Sequence, residues 1–178
     1  MTEGPDELAF VEVLIKKGIF IFSKDELLME EVFHKRQIDG ELVGYIQTLQ
    51  FGDTVDNFRI GDKLSDSLKI PRSILPEKVR DKFKICTLPE FEILFILNEG
   101  LYEDYIKMKT EEKPSVFYGR FDSKYKKQSA YVEKYFDDMN AQDIIKLVDL
   151  YVQKRGKTHK KDQLTLQSIL KRTKKELL

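Results

Sequence analysis

The sequence predicts an α+β protein that is predominantly helical, with a mixed N-terminal part containing a few short strands and a helical C-terminal part. Residues that start and stop helices recur along the chain, and apolar residues repeat at helical spacing towards its end. Between them lie short runs of β-branched and aromatic residues, separated by Asp-Gly and Gly-Asp pairs. We expect residues 1–110 to form the mixed α/β part and residues 115–178 to form the basic helical part.

The most apolar stretch lies in the middle of the chain and predicts a central helix over residues 88–99. Thr87 and Glu90 have the spacing of a capping box, and Gly100 can end a helix in the left-handed conformation. The consecutive apolar residues 93–97 leave almost no polar side to such a helix. We therefore expect other elements to cover it on all sides.

Two further helices, joined by a short apolar segment, are predicted at the N-terminus. Asp6 has the position of an N-cap for a helix that Gly18 ends. Residues 19–22 are too few for a helix and too apolar for a loop, so we expect a buried strand or extended segment. Ser23 and Glu26 repeat the capping-box spacing and predict a second helix. The apolar face of that helix would consist of Leu28, Met29, Val32 and Phe33.

Strand-like runs follow in the N-terminal part. Residues 42–51 and 55–60 are rich in β-branched and aromatic residues, which favours two or three antiparallel strands or a compact irregular loop region. Pro76 then suits the first turn of a short charged helix, with Val79 and Phe83 facing inward.

Three amphipathic helices are predicted in succession near the C-terminus. Ser123 or Asp122 would cap the first, Asn140 would cap the second, and Asp162 would open the third. Gly156 would end the second of these helices. Their apolar stripes are Val132, Tyr135, Phe136 and Met139, then Ile144, Leu147, Val148 and Tyr151, and finally Leu166, Ile169 and Leu170.

Composition excludes several classes of protein. Hydrophobic residues are 41% of the chain and aromatic residues 11%, which is too many for a disordered chain. No apolar run approaches the roughly 18 residues needed to cross a bilayer, and the acidic start is unlike a signal peptide. We therefore expect an intracellular, soluble protein of the cytoplasm or nucleus. The single cysteine, Cys86, predicts a small buried side chain rather than a disulfide or zinc ligand.

The sequence contains no catalytic or cofactor motif. Its only histidines, His34 and His159, are far apart, and neither lies in a metalloprotease or nucleophile-elbow context. No glycine-rich phosphate loop is present, and the carboxylate pairs are adjacent in sequence, so they would diverge on a helix. We predict no catalytic residue, no cofactor and no metal site, with catalysis as the least favoured alternative.

Charge is unevenly distributed, although the formal net charge is zero. Residues 1–60 contain 6 Lys or Arg against 12 Asp or Glu, whereas residues 107–178 contain 18 against 10. Basic residues neutralise phosphates, and aromatic residues interleaved with them can stack on unpaired bases. The alternative is that the aromatic residues are core and the basic residues a solvated face. The residues predicted to bind RNA or DNA are Arg120, Lys124, Lys126, Lys127, Lys154, Arg155, Lys157, Lys160, Lys161, Lys171, Arg172, Lys174 and Lys175.

Residues 88–100, LPEFEILFILNEG, resemble the N-terminal-domain phrase of tRNA-splicing endonuclease subunits. That phrase has a leucine, a glutamate four positions on, an apolar run and a terminal glycine. The matching residues are Leu88, Glu92, Leu94, Phe95, Asn98 and Gly100. Residues 148–156 are similar to the helix ending in Arg-Gly that leads into the family's catalytic domain. The family's catalytic tyrosine, histidine and lysine have no matching motif, and residues 157–178 are too few for a nuclease domain. The resemblance implies a non-catalytic, structural subunit.

Two functions follow from these observations. The first is a non-catalytic subunit of an assembly that processes nucleic acid, such as tRNA or another RNA, with the basic C-terminal end contacting RNA or DNA. The second is a protein–protein adaptor or assembly factor without nucleic-acid contact. In both cases we expect a protein partner in a complex, and neither a membrane nor a metal.

Overall fold

The computed structural model describes residues 1–62, 67–87, 90–126, 128–154 and 164–171. The helices of these ranges are α1 (Pro5–Lys16), α2 (Gly40–Gln47), α3 (Ile93–Asn98), α4 (Tyr102–Met108), α5 (Pro114–Phe121), α6 (Ser129–Asp137) and α7 (Ala141–Gln153). The strands are β1 (Val55–Gly61), β2 (Val79–Cys86) and β3 (Leu164–Thr165). Short 3₁₀ turns occur at Lys24–Glu26, Leu28–Glu30, Pro76–Lys78 and Leu166–Ile169. The predicted α+β class, with a predominance of helix, is confirmed.

The strands form one parallel sheet in the order β1-β2-β3. β1 and β2 pair along their whole length, from Val55 opposite Val79 to Gly61 opposite Cys86, and β3 adds a short pairing to the end of β2. The antiparallel pairing that the sequence favoured is therefore wrong. Parallel strands need a crossover instead of a hairpin, and the long connection between β1 and β2 is of that kind.

Two elements predicted in the N-terminal part take a different form. Residues 42–51 read as a strand, but most of them lie in α2, because the Asp39 carboxylate accepts a hydrogen bond from the backbone N–H of Leu42 at 3.2 Å and caps a helix. The turn at Pro76 does not continue as a helix. It leads directly into β2, which contains Val79 and Phe83.

The helix predicted from Ser23 is also absent from the described structure. The capping box between Ser23 and Glu26 forms, yet it starts only a 3₁₀ turn. Met29 and Glu30 then adopt left-handed φ angles of 54° and 56°, which no α-helix accommodates. Residues 23–33 therefore form an irregular strap.

The remaining helix ends agree with the sequence in part. α1 begins at Pro5 with Gly4 as N-cap, not Asp6, and Gly18 follows it with a φ of 70°. Asn140 caps α7 as predicted, since its side-chain oxygen accepts from the N–H of Asp143 at 2.9 Å. The third C-terminal helix is wrong for residues 164–169, which form β3 and a 3₁₀ turn. Asp162 and Gly156 lie outside the described residues.

The central helix is covered as predicted. Residues 93–96 are 0–2% exposed, and Gly100 ends the segment with a φ of 70°. The helix starts later than predicted, with Glu92 as its N-cap. Thr87 has a different role, because its hydroxyl donates a hydrogen bond to the Glu7 carboxylate at 3.3 Å.

Two hydrophobic clusters build the interior. The larger cluster surrounds α3 and extends from Ala9 to Leu170, so it includes residues of both predicted parts. The smaller cluster consists of Ile38, Leu42, Ile46, Leu68 and Ile74. The division between residues 110 and 115 stays a prediction. Cys86 is buried and reduced, as its sequence context predicts.

Candidate nucleic-acid interface

The structure describes some of the basic residues that the sequence singled out. Those described are Arg120, Lys124, Lys126, Lys154 and Lys171. Those that lie outside the described residues are Lys127, Arg155, Lys157, Lys160, Lys161, Arg172, Lys174 and Lys175. The first three described residues lie together, at the C-terminal end of α5 and in the turn that follows it.

Helix α5 presents an apolar and basic surface to solvent. Its inward side consists of Pro114 and Tyr118, both buried. Val116, on the opposite side, is 53% exposed, and Phe121, the last residue of the helix, is 55% exposed. An exposed aromatic ring with cations beside it offers a ligand both a stacking surface and positive charge. We call Arg120, Phe121, Lys124 and Lys126 the α5 surface.

The turn after α5 is held in place by hydrogen bonds to Asp122. Its carboxylate accepts from the backbone N–H of Lys124 and from the hydroxyl of Tyr131, both at 2.8 Å. These bonds, the first above all, hold the pKa of Asp122 below its usual value. The Tyr118 and Tyr131 hydroxyls are also 2.8 Å apart. The backbone that positions Lys124 is therefore fixed before any ligand binds.

A buried tyrosine anchors the same turn to the central helix. The Tyr125 hydroxyl donates a hydrogen bond to the Glu92 carboxylate at 3.0 Å, inside the core. Burial, and then the charge of Glu92, raises the pKa of Tyr125. Lys124 and Lys126, on either side of Tyr125, are both exposed. In the run Lys124-Tyr125-Lys126, therefore, the aromatic ring faces inward while the two lysines face outward.

The aromatic residues between 117 and 136 had two interpretations, as core residues or as a surface that stacks on bases, and their burial decides between them. Within the described residues from 117 to 136, most aromatic rings belong to or pack against the larger cluster, as the core interpretation predicted. Among the described residues from 117 to 136, Phe121 is the exposed aromatic residue. It was not among the predicted site residues. Helical spacing gives no signal for this exposure, because Phe121 is three residues after Tyr118 and seven after Pro114, both of which are buried.

The cations of the α5 surface differ in their partners. Arg120 forms an ion pair with Glu112 at 2.5 Å, and its guanidinium lies 5.9 Å from the centre of the Phe117 ring. Lys124 and Lys126 form no salt bridge with any described residue. The charge of Lys124 is a minor cause of the lowered pKa of Asp122, but neither ammonium group is held in a salt bridge with a described residue that an external anion would have to break.

The remaining predicted cations that the structure describes are Lys154 and Lys171, which are not part of the α5 surface. Lys154 is 4.0 Å from the Glu103 carboxylate and 4.4 Å from the centre of the Tyr102 ring. Lys171 is close enough to Asp25 and Glu26 for its charge to lower the pKa of both carboxyls, as a minor cause beside their hydrogen bonds. Both lysines already face carboxylates, so neither extends the α5 surface as the sequence suggested.

The described ranges contain no arrangement typical of catalysis or metal binding. His34 is exposed, and its Nε2 lies 3.1 Å from the backbone oxygen of Glu3. No group of three or more His, Cys, Asp or Glu residues in these ranges could hold a metal ion. No helix of the described chain combines the length and apolar character that crossing a membrane requires. His159 lies outside the described residues.

Comparison with known proteins adds no assignment. No protein-family model, no curated protein and no solved structure gave a significant match to this chain.

Proposed function

We propose that this chain is a non-catalytic subunit of a nucleic-acid-processing assembly, and that its α5 surface contacts single-stranded RNA or DNA. The observation that supports this proposal is the exposure of Phe121, at 55%, next to two lysines without internal ion pairs. A base stacked on an exposed aromatic ring contributes about 1–3 kcal/mol, and lysines beside it neutralise the flanking phosphates. The basic residues beyond Lys154 would extend the contact.

The assembly part of the proposal comes from the resemblance to tRNA-splicing endonuclease subunits. In this structure the matched residues that are described have structural roles. Leu94 and Phe95 are fully buried, Glu92 receives the Tyr125 hydroxyl, and Asn98 donates to the Tyr135 hydroxyl at 2.6 Å. Such roles fit a structural subunit, since none of these side chains is available for chemistry.

The alternative function is an adaptor that contacts only protein. Val116 and Phe121 favour it as much as they favour a stacking platform, because exposed apolar residues also anchor protein interfaces. The lysines separate the two functions. Phosphate contacts produce a steep salt dependence, whereas exposed charges at a protein interface contribute little to equilibrium affinity.

The test is fluorescence anisotropy with a labelled single-stranded oligonucleotide, as RNA and as DNA, at several salt concentrations. For the parent chain we expect binding at low salt, with log affinity falling by about 0.7 per contacted phosphate for each tenfold rise in salt. The Phe121→Ala variant should bind about tenfold more weakly, because it loses a stacking contact. A Lys124→Glu, Lys126→Glu variant should flatten the salt slope by about 1.4.

A matched control reverses two exposed cations in the N-terminal part, Lys69→Glu with Arg72→Glu. It should leave both affinity and slope unchanged. A Lys160→Glu, Lys161→Glu variant measures how much the basic C-terminal end contributes to the affinity for the oligonucleotide. Failure of the parent to bind at low salt and micromolar protein would exclude nucleic-acid contact by the isolated chain and leave the adaptor function.

A further inference from the structure

A cavity of about 270 Å³ lies between the two hydrophobic clusters. Its lining residues lie between Met1 and Val79, so none belongs to the α5 surface. Val11, Phe20 and Ile60 of the larger cluster form one side, and Leu42 and Ile46 of the smaller cluster form the other. The cavity is partly open to solvent, so it is a surface pocket that reaches between the two clusters. Its size approaches the lower limit of ligand sites.

The mouth of the cavity is acidic. Glu26, Glu31 and Asp56 are the charged residues of its described lining, which contains no lysine, arginine or histidine. Asp56 is partly neutralised by an ion pair with Arg80. Hydrogen bonds from the Ser23 side chain and backbone lower the pKa of Glu26, so this exposed carboxylate is charged at neutral pH. Lys171 lies close enough to Glu26 for its charge to contribute to that lowered pKa, and Glu31 is exposed.

The cavity also runs along one edge of β1. On the side away from β2, the N-terminal amine donates to the Phe58 carbonyl at 2.7 Å, and residues 1–3 pair with Ile60. No described residue continues this backbone pairing toward Val55, although residues 54–58 line the cavity. An unpaired strand edge beside apolar space is the usual arrangement for adding an extended peptide.

The strap of residues 23–33 covers the remaining side. Leu27, Leu28 and Val32 point into the cavity, whereas Met29 and Glu30 are exposed and have left-handed φ angles of 54° and 56°. Two consecutive non-glycine residues in this region are costly, and such strain is concentrated at binding sites. Of the segments that line the cavity, the strap is thus the one with the least favourable backbone conformation.

We propose that this cavity is a docking site for an extended segment of a partner protein, with bulky apolar side chains that enter the cavity and Lys or Arg residues that flank them. The apolar lining favours large apolar side chains, and the backbone at the edge of β1 favours an extended peptide. The carboxylates at the mouth attract flanking cations and repel phosphate, so nucleic acid is disfavoured here. This site is independent of the α5 surface.

The first experiment selects from a phage-displayed library of random dodecapeptides on the full chain. We expect enrichment of sequences with two or more bulky apolar residues next to Lys or Arg. Enrichment of acidic sequences, or no enrichment over an unrelated protein, would overturn the proposal. The selected peptide is then synthesised with a fluorescent label and titrated with the parent chain by anisotropy.

Charge variants test the mouth of the cavity. Glu31→Lys should weaken binding of the labelled peptide by about fivefold, because a flanking cation then meets a like charge. Glu30→Lys is the matched control, since Glu30 is the adjacent exposed glutamate and does not line the cavity. Equal effects of the two variants would show a general charge effect and contradict a site at this mouth.

Methyl NMR locates the peptide without relying on a variant. In a valine-labelled sample, the methyl signals of Val32, Val55 and Val79, which line the cavity, should shift on titration. The signals of Val132 and Val148, buried in the other part of the core, should not move. Shifts confined to Val116 would overturn the proposal and place the peptide on α5. If a chain that lacks residues 172–178 binds the peptide at least tenfold more tightly than the full chain does, the cavity already accepts the chain's own segment, which contradicts a partner.

Discussion

Two apolar regions of this molecule are packed in different ways. Aromatic rings from α5, α6 and the turn between them surround Phe95, with their centroids 4.9–5.7 Å from the centre of its ring. Their hydroxyls find partners, as in the bond from Tyr125 to Glu92. Below the strap of residues 23–33, equally apolar side chains surround a cavity of about 270 Å³. The contrast separates a region built for stability from one whose space is suited to a ligand.

The cause of the difference lies in the elements that supply the side chains. α6 and α7 present regular stripes, so successive residues interdigitate with α1 and α3. The strap contains 3₁₀ turns and two left-handed residues, so its side chains leave the surface in irregular directions. Regular elements fill space, whereas the strap encloses it.

Matched Leu→Ala variants in the two regions should show the largest difference. Leu94 is fully buried in the larger cluster, and Leu94→Ala should lower the free energy of unfolding by about 3–5 kcal/mol, from lost burial and a new cavity. Leu28 is half-buried and already borders empty space, so Leu28→Ala should cost about 1 kcal/mol or less. Denaturant melts measure both. Similar losses would show that the two regions are packed alike.

The regular region was also the more predictable one. The spacing of Val132 and Phe136 predicted α6, and Asn140 predicted the start of α7, because helical periodicity and capping are local properties of the sequence. Periodicity and capping did not predict the structure of the strap. Its capping box is real, but the turn it starts is too short for a helix, and nothing in the sequence around Met29 and Glu30 indicates their left-handed φ angles.

The candidate site was predictable only in part, for the same reason. Charge pattern alone identified Arg120, Lys124 and Lys126, which lie at the end of α5 and in the turn after it. It did not show that Tyr125 is a core residue and Phe121 an exposed one. That distinction depends on a hydrogen bond from Tyr125 to Glu92, a residue far away in sequence. The cavity had no local signal, since six separate segments line it.

The carboxylates of Glu92 and Glu7 provide a second comparison. It predicts a pH dependence of the free energy of unfolding, of intermediate size. Glu92 receives the Tyr125 hydroxyl at 3.0 Å, whereas Glu7 receives the Thr87 hydroxyl at only 3.3 Å. Burial is the largest cause that raises the pKa of Glu7 to about 7, with smaller contributions from the charges of Asp6 and Asp62. The folded state therefore holds this proton more tightly than the unfolded state does.

The sign follows from linkage. The stabilising contribution of protonated Glu7 is fully present below the unfolded pKa, near 4.5, and is lost as the pH rises through about 7. Relative to the parent, Glu7→Gln should therefore gain about 1–3 kcal/mol between about pH 5 and about pH 8. Denaturant melts at both pH values measure the gain, with Glu77→Gln as an exposed control. A constant difference between parent and Glu7→Gln would show that Glu7 does not titrate in this range.

The smallest expected effect concerns the addition of one methylene group, and it tests the comparison by its sign. Val79 lines the cavity, so Val79→Ile has room for the added carbon and keeps the β-branched side chain that suits β2. It should stabilise the fold by up to about 0.8 kcal/mol. Val148 is fully buried in α7, and Val148→Ile should destabilise the fold, because added volume in a filled core forces neighbours out of their rotamers. Denaturant midpoints measured side by side give both signs. If Val79→Ile also destabilised the protein, the space below the strap would be closed in solution, and the docking site would lose its physical basis.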